Sequence, residues 1–325
     1  MRFRLSEEQD ELVATVRALL TKRADSAAVR AAIETPDGYD TDLWRLMCDQ
    51  VGVAALAVPE QYDGFGATFF ETAIVLEELG RSLAPSPLVA TTIATQALLA
   101  GGTEDARADL LPRIAAGEPA SLVLGDGLVL DADRARILLQ VDGNDLVLLD
   151  EPRVERVETM DQTIRLARVA GGGTVVGDGR AAQARAELVG AACAAALAVG
   201  LCRRALEMTV AYTKGREQFG RPIGSFQALK HRMADMLART EIARSVTWQA
   251  AYALASDATE ATADQVHAAT AYALDAAADL AAECVQLHGG IAITWEHDAH
   301  MVFKRAHALR NLAGTPSQHR LALIL

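Results

Sequence analysis

Basic charge is scarce in this chain. Of 325 residues, 31 are Lys or Arg and 43 are Asp or Glu, a formal net charge of −12 at pH 7. A nucleic-acid surface needs a basic footprint, so no nucleic-acid partner is expected. A few local cations can still hold an anionic ligand inside an acidic protein. Cysteine is scarce as well. Cys48, Cys193, Cys202 and Cys284 include no Cys-x-x-Cys pair, and Cys193 and Cys202 stand nine apart in an Ala-rich stretch. That is neither a disulfide framework nor a zinc spacing; small buried apolar residues and no metal are expected. Long hydrophobic runs are also missing: no apolar run reaches the length of a membrane span. The opening MRFRLSEEQDELVATVRALL mixes acidic with apolar residues, unlike a signal peptide. The expectation is a soluble, cytoplasmic protein without a membrane partner, 51% apolar and 23% charged, long enough for two or three subdomains.

Three regions separate by pattern. Residues 1–118 read as helices. Ser6 precedes EEQDELVATVRALL as a capping-box start, and Leu12, Val13, Val16, Leu19 and Leu20 recur at helical spacing. LWRLMCDQVGVAAL, FFETAIVLEELGRSL and EDARADLLPRIAAG repeat that spacing, with the turn-rich VPEQYDGFGAT among them. Residues 119–179 change to short β-type runs broken by Gly-Asp and Asp-Gly-Asn turns, a small sheet. Residues 180–325 are helical again, with three long helices and a shorter fourth in HDAHMVFKRAHALRNLA, the pattern of a four-helix bundle. Small residues fill the first of these helices, which suits close packing inside the bundle.

Two loops carry chemistry. In YTKGREQFGRPIGSFQALKHRMADM a helix ends near Lys214 and another starts near Ser225, its expected cap, with Gln227 in the first turn. Arg216 offers a planar fork for two phosphate oxygens, and Phe219 a flat apolar face. An ordinary helix hairpin would use the same residues structurally. In CVQLHGGIAITWEHDAH a helix ends at Gly289-Gly290, whose backbone N–H groups can face a pyrophosphate, with Gln286 one turn earlier. A plain glycine C-cap reads the same way.

Together these residues resemble the acyl-CoA dehydrogenase family. The matching positions are Arg216, Phe219, Gly220, Ile223, Phe226, Gln227, Ala234, Asp235 and Met236, then Gln286, Gly289, Gly290, Thr294 and Glu296. LSEEQDELVATVRALL, PEQYDGFGAT and EELGRSLAPSPL resemble the family's first domain, so the likeness covers nearly the whole chain. It implies a mainly α fold: an N-terminal helical domain, a small β middle domain and a C-terminal four-helix bundle. It implies FAD at a subunit interface, contacted by Arg216, Gln218, Phe219, Gln227, Gln286, Gly289, Gly290 and Thr315.

The chain departs from that family where catalysis needs a base. Many members carry the glutamate in a Tyr-Glu-Gly-Thr segment; here the segment reads Leu312-Ala313-Gly314-Thr315, and a methyl group cannot accept a proton. Another branch places the base on the long helix before the first loop. The corresponding position is near Gly190, with Glu187 one turn earlier as a substitute; Glu296 is a further one. The middle region is short and lacks both the Thr-Glu-x-x-Ala-Gly-Ser-Asp loop and the Trp-Ile-Thr segment that cover the flavin. The combination resembles the degenerate subunit of actinobacterial α2β2 acyl-CoA dehydrogenases of steroid side-chain degradation. The resemblance implies a catalytic partner subunit and an acyl-CoA substrate, with an electron-transfer flavoprotein or oxygen as the alternatives for the electron acceptor. A homomeric enzyme with a relocated base and a flavin-free structural protein are the alternatives.

Overall fold

The computed structural model describes residues 4–125, 127–256 and 260–324. The chain divides into two compact units, Met1–Val75 with Ala84–Gly190, and Leu76–Leu83 with Ala191–Leu325.

In the first unit the helices are α1 (Glu7–Arg23), α2 (Ser26–Glu34), α3 (Thr41–Leu46), the start of α4 (Phe69–Ser82), α5 (Leu88–Gly101) and α6 (Glu104–Ala115). Their starts follow local chemistry. Ser6 and Gln9 form a capping box, and the side chains of Asp25, Asp40 and Thr103 accept from the first-turn amides of α2, α3 and α6. The β segment belongs to this unit. It forms two sheets, β1 (Ala120–Leu124), β3 (Ile137–Asp142), β4 (Asp145–Leu149) and β7 (Gly173–Asp178) in the order β1-β3-β4-β7, and β2 (Val129–Leu130), β6 (Leu166–Ala170) and β5 (Arg153–Val157) in the order β2-β6-β5. The sequence pattern implied one sheet; short runs divided by turns do not reveal which strands pair. Leu98, Leu111, Ile114, Ile137, Leu139 and Leu146 form a buried core between α5, α6 and the first sheet.

The second unit is the bundle. α7 (Gly179–Gly215) enters it, followed by α8 (Gln227–Ser256), α9 (Glu260–His288) and α10 (Ala299–Leu312). A fifth helix, α11 (Pro316–Ala322), follows and packs on α9; its seven residues were too short a pattern to read. Arg232 pairs with Glu283 at 2.6 Å and Arg239 with Asp279 at 2.6 Å, so α8 and α9 run antiparallel. One expectation is corrected here. α7 is long and apolar enough to cross a membrane by length and composition, and the window that qualifies is 83% buried within the fold. Alanine and glycine spread the apolar character along the helix instead of concentrating it in one run.

The end of α4 joins the bundle through backbone contact and buried charge. An ideal Cβ on Gly200 would stand 1.9 Å from the Glu77 carbonyl oxygen, and one on Gly80 would stand 2.2 Å from the Leu197 carbonyl oxygen. Glu77, 3% exposed, accepts from Arg203 at 2.6 Å, from Arg244 at 3.0 Å and from the Trp248 indole N–H at 2.8 Å. Glu78, also buried, takes Arg203 at 3.2 Å.

Cys193, Cys202 and Cys284 are buried and Cys48 is half-buried, all free thiols. Burial pushes Cys202 and Cys48 up to about 12 and Cys284 to about 11. The thiolate is the nucleophile, so iodoacetamide at pH 8 will label the native chain slowly and all four sites promptly in denaturant. Rapid native labelling would contradict this packing.

Candidate functional site

The first loop is a tight hairpin at the end of α7. The Arg216 N–H donates to the Tyr212 carbonyl and its own carbonyl accepts from the Ile223 N–H, both at 2.8 Å. Between them β8 (Glu217–Gln218) pairs with β9 (Arg221–Pro222) across a two-residue turn, Phe219-Gly220. Both turn residues have positive φ, 56° and 76°, a type I′ turn that favours Asn-Gly. Phenylalanine at such a φ costs roughly 1–3 kcal/mol. The residue is 91% exposed and its ring stands perpendicular to that of Phe226, centroids 6.2 Å apart, while Arg221 covers the Phe226 face at 4.0 Å.

Arg216 is exposed, and no ion pair among the described residues uses it. Gln218 is exposed and its amide donates to the Glu217 carbonyl at 2.8 Å. Gln227 begins α8 and lies 3.1 Å from the His231 ring nitrogen. The expected cap differs. Residues Ile223–Ser225 make a short 3-10 turn, and the Ser225 hydroxyl donates to the Pro222 carbonyl at 2.7 Å instead of capping α8.

The second loop follows α9. Gly289–Ile293 form a 3-10 turn, and Gly289 has a φ of 66°. A Cβ on Gly289 or Gly290 would meet nothing of this chain within 4 Å. Both glycines are exposed, and so is Gln286 one turn earlier. Ile293 at the end of the turn and Trp295 beyond it stand exposed, with Lys304 over the Trp295 ring at 4.8 Å.

The fold brings the two loops to one end of the bundle. The Tyr212 ring, four residues before Arg216, lies 4.4 Å from the His288 ring, immediately before Gly289. The His297 ring lies 4.5 Å from that of His288, tilted by 47°, and 6.1 Å from that of Tyr212. Sequence reading missed this ring cluster; the i, i+4 spacing of Cys284 and His288 was its only visible sign. Thr315 is elsewhere. It caps α11, its hydroxyl accepting from the Gln318 N–H and its backbone N–H donating to the Gln318 side chain at 2.7 Å. α11 sits against the start of α9, where His319 and His267 approach to 2.9 Å between Nδ1 atoms. From His267 to Gly289 the helix rise amounts to about 33 Å. Within one chain, therefore, Thr315 does not join Arg216 and Gly289.

Ala313 is the C-cap of α10, followed by Gly314 at a φ of 97°. Glu187 is exposed on α7 and takes the Gln183 amide at 2.8 Å; Glu296 is exposed beside Thr294. Neither has the desolvated setting that turns a carboxylate into an effective base near neutral pH. The described residues hold no group of three or more His, Cys, Asp or Glu suited to a metal.

If the strain at Phe219 serves contact with a ligand or partner, relieving it will cost function. Phe219→Gly is expected to raise the unfolding free energy of the chain by about 1 kcal/mol, since glycine adopts that φ freely. A chemical denaturation series measures it; an unchanged or lower midpoint would contradict the strain.

Comparison with known proteins identifies the family. Residues 6–118 match the model for the acyl-CoA dehydrogenase N-terminal domain and residues 177–324 that for the acyl-CoA dehydrogenase C-terminal domain. The chain is 44% identical over 318 residues to acyl-CoA dehydrogenase IpdE2 of Mycolicibacterium smegmatis, covering 97% of each. The chain belongs to the acyl-CoA dehydrogenase family. IpdE2 of Mycobacterium tuberculosis is 46% identical over 317 residues, 96% of this acyl-CoA dehydrogenase chain and 95% of that one. Among solved structures, the Tcur3481-Tcur3483 steroid ACAD G363A variant superposes with a TM-score of 0.89 at 29% identity, covering 98% of this chain and 96% of that one. The ChsE4-ChsE5 complex from Mycobacterium tuberculosis shares the acyl-CoA dehydrogenase fold, with a TM-score of 0.88 at 23% identity over 99% and 97% of the two chains.

Proposed function

We propose that this chain is the non-catalytic subunit of a heteromeric, FAD-dependent acyl-CoA dehydrogenase that desaturates the CoA thioester of a steroid side chain. The observation that carries the reading is a dissociation of two features. The base position holds the methyl group of Ala313, while the end of the bundle carrying Arg216, Phe219, Gly289 and Gly290 is open and unpaired.

That open end fits FAD. Arg216 supplies an exposed planar cation, the glycine loop an exposed backbone bare of side chains, and Phe219 an exposed apolar face. Gln218, Gln227 and Gln286 add exposed amides on the same two loops. FAD, when bound, supplies the acceptor for the substrate's β-hydride. In this reading the chain's own residues bind and orient the cofactor, and the partner subunit supplies the carboxylate that takes the α-proton. Thr315, remote from Arg216 in one chain, belongs to a separate subunit contact. The relatives support a heteromer: two of the solved neighbours bear paired names, and one is a steroid enzyme. In FadE34 of Mycobacterium tuberculosis, 35% identical, the matching region is 46% of the protein, so that enzyme carries further sequence beside a module like this one. Exposure of Glu187 argues against a homomeric enzyme with a relocated base. An electron-transfer flavoprotein as acceptor and a cytoplasmic location complete the proposal.

The test is co-expression. Alone, the purified chain is expected to be colourless and inactive. With a full-length acyl-CoA dehydrogenase encoded beside it, it is expected to yield a yellow complex that reduces an acceptor with an acyl-CoA. A yellow, active chain without partner would overturn the reading.

A further inference from the structure

We propose that His288 is the positioning residue that holds the two cofactor loops in register, an inference that rests on the flavin reading above. His288 is 3% exposed and occupies the junction of three elements. Its Nδ1 lies 2.6 Å from the Cys284 carbonyl oxygen. A carbonyl only accepts, so Nδ1 carries the proton and the ring is locked to the last turn of α9. One side of the ring meets Tyr212 of α7 at 4.4 Å, with planes tilted by 30°; another meets His297 at 4.5 Å. His297 belongs to the turn before α10, where its Nδ1 accepts the Ala299 N–H at 3.2 Å. A second link joins the same elements: Arg204, two turns before Tyr212 on α7, pairs with Asp298 at 3.2 Å.

The consequence is geometric. Tyr212 accepts the Arg216 N–H through its carbonyl, and Gly289 follows His288 directly. The spacing between the Arg216 guanidinium and the glycine N–H groups is therefore set through the Tyr212–His288 contact. Two anion-binding loops reach one pyrophosphate only at one spacing. A group that acts by holding others in place is measured by what its loss does to them.

Charge makes the device sensitive to acid. The groups facing His288 are Tyr212 and the Met208 carbonyl from α7, the Cys284 thiol of α9, and His297 from the turn, with the Arg204–Asp298 pair beyond. Burial holds His288 below its ordinary value, with His297 pushing the same way. The neutral ring is the folded form. On acidification from about 6.5 towards the lowered value, the unfolded or opened state binds more protons, so junction stability is lost as pH falls and is intact above 6.5.

The experiment uses the co-expressed heteromer and reads bound flavin per complex, together with assembly by size-exclusion chromatography. His288→Ala is expected to assemble and to hold at least fivefold less flavin at pH 7.5. His288→Phe keeps a ring between Tyr212 and His297, so it is expected to recover most of that flavin and to lose the acid-induced release that the native complex shows between pH 7 and 5.5. Arg216→Ala, also expected to lose flavin, separates the two ideas. Normal flavin in His288→Ala with a loss in Arg216→Ala overturns the role of His288 alone; normal flavin in both overturns the flavin reading with it. Where His288→Ala does not assemble, the pH profile decides, and an acid release unchanged in His288→Phe overturns the inference.

Discussion

Replacing Glu77 by alanine is expected to destabilise the bundle by about 2–4 kcal/mol. Deleting one member of a buried ion pair typically costs 3–5 kcal/mol, because the cation left behind stays desolvated without a partner. Here Arg244 at 3.0 Å and the Trp248 indole N–H at 2.8 Å lose an acceptor at once, and Arg203 exchanges its 2.6 Å contact for the longer one of 3.2 Å to Glu78. The lower range allows for water reaching Arg203 and Arg244, whose side chains are 19% and 28% exposed. In a chain of this size the change corresponds to a melting temperature lower by roughly 3–6 °C. Asp279→Ala provides the contrast. Its pair with Arg239 is just as short, but the side chains are 61% and 51% exposed, so the expected effect is within about 0.5 kcal/mol. Thermal unfolding of both variants checks the pair, and equal shifts would refute the assignment of Glu77 as the anchor of α4.

In the assembled heteromer, Arg216→Ala is expected to weaken FAD binding by about 10- to 100-fold. A charge-assisted hydrogen bond to phosphate contributes about 1.5–3 kcal/mol, and each 1.4 kcal/mol is a factor of ten. Arg216 has no competing ion pair among the described residues, so its charge is available to a ligand. Arg216→Lys keeps the charge but not the fork, and should fall between the two. Flavin fluorescence titration of the apo-complex measures all three. An affinity unchanged in Arg216→Ala would remove this residue from the cofactor site.

Much of the local architecture was legible in the chain. Ser6 with Gln9 forms the capping box that its spacing implied, and the buried Val13, Val16 and Leu20 follow the helical period. These signals survive because they depend on neighbours within a turn or two. Ser225 misled for the opposite reason: its hydroxyl found the Pro222 carbonyl in a 3-10 turn that only the fold of the hairpin creates. The membrane-like length of α7 escaped notice because its apolarity is carried by scattered alanines, a property of the whole helix.

The candidate site divides in the same way. Residue type alone marked Arg216 as a fork for phosphate oxygens, Phe219 as a flat apolar face and Gly289-Gly290 as a loop able to face a pyrophosphate; the flavin role of these residues, and a carboxylate expected where Ala313 stands, came from the family resemblance. Only the tertiary structure decided which of these residues meet. Tyr212 and His288 are far apart in sequence and carry no shared motif, yet their ring contact brings two loops to one end of the bundle. Thr315, close to α10 in sequence, is capped into α11 near the other end of α9. Caps and helical periods are local and are written in adjacent residues. Helix-to-helix register depends on packing along the full length of α7 and α9, which no short stretch of sequence contains.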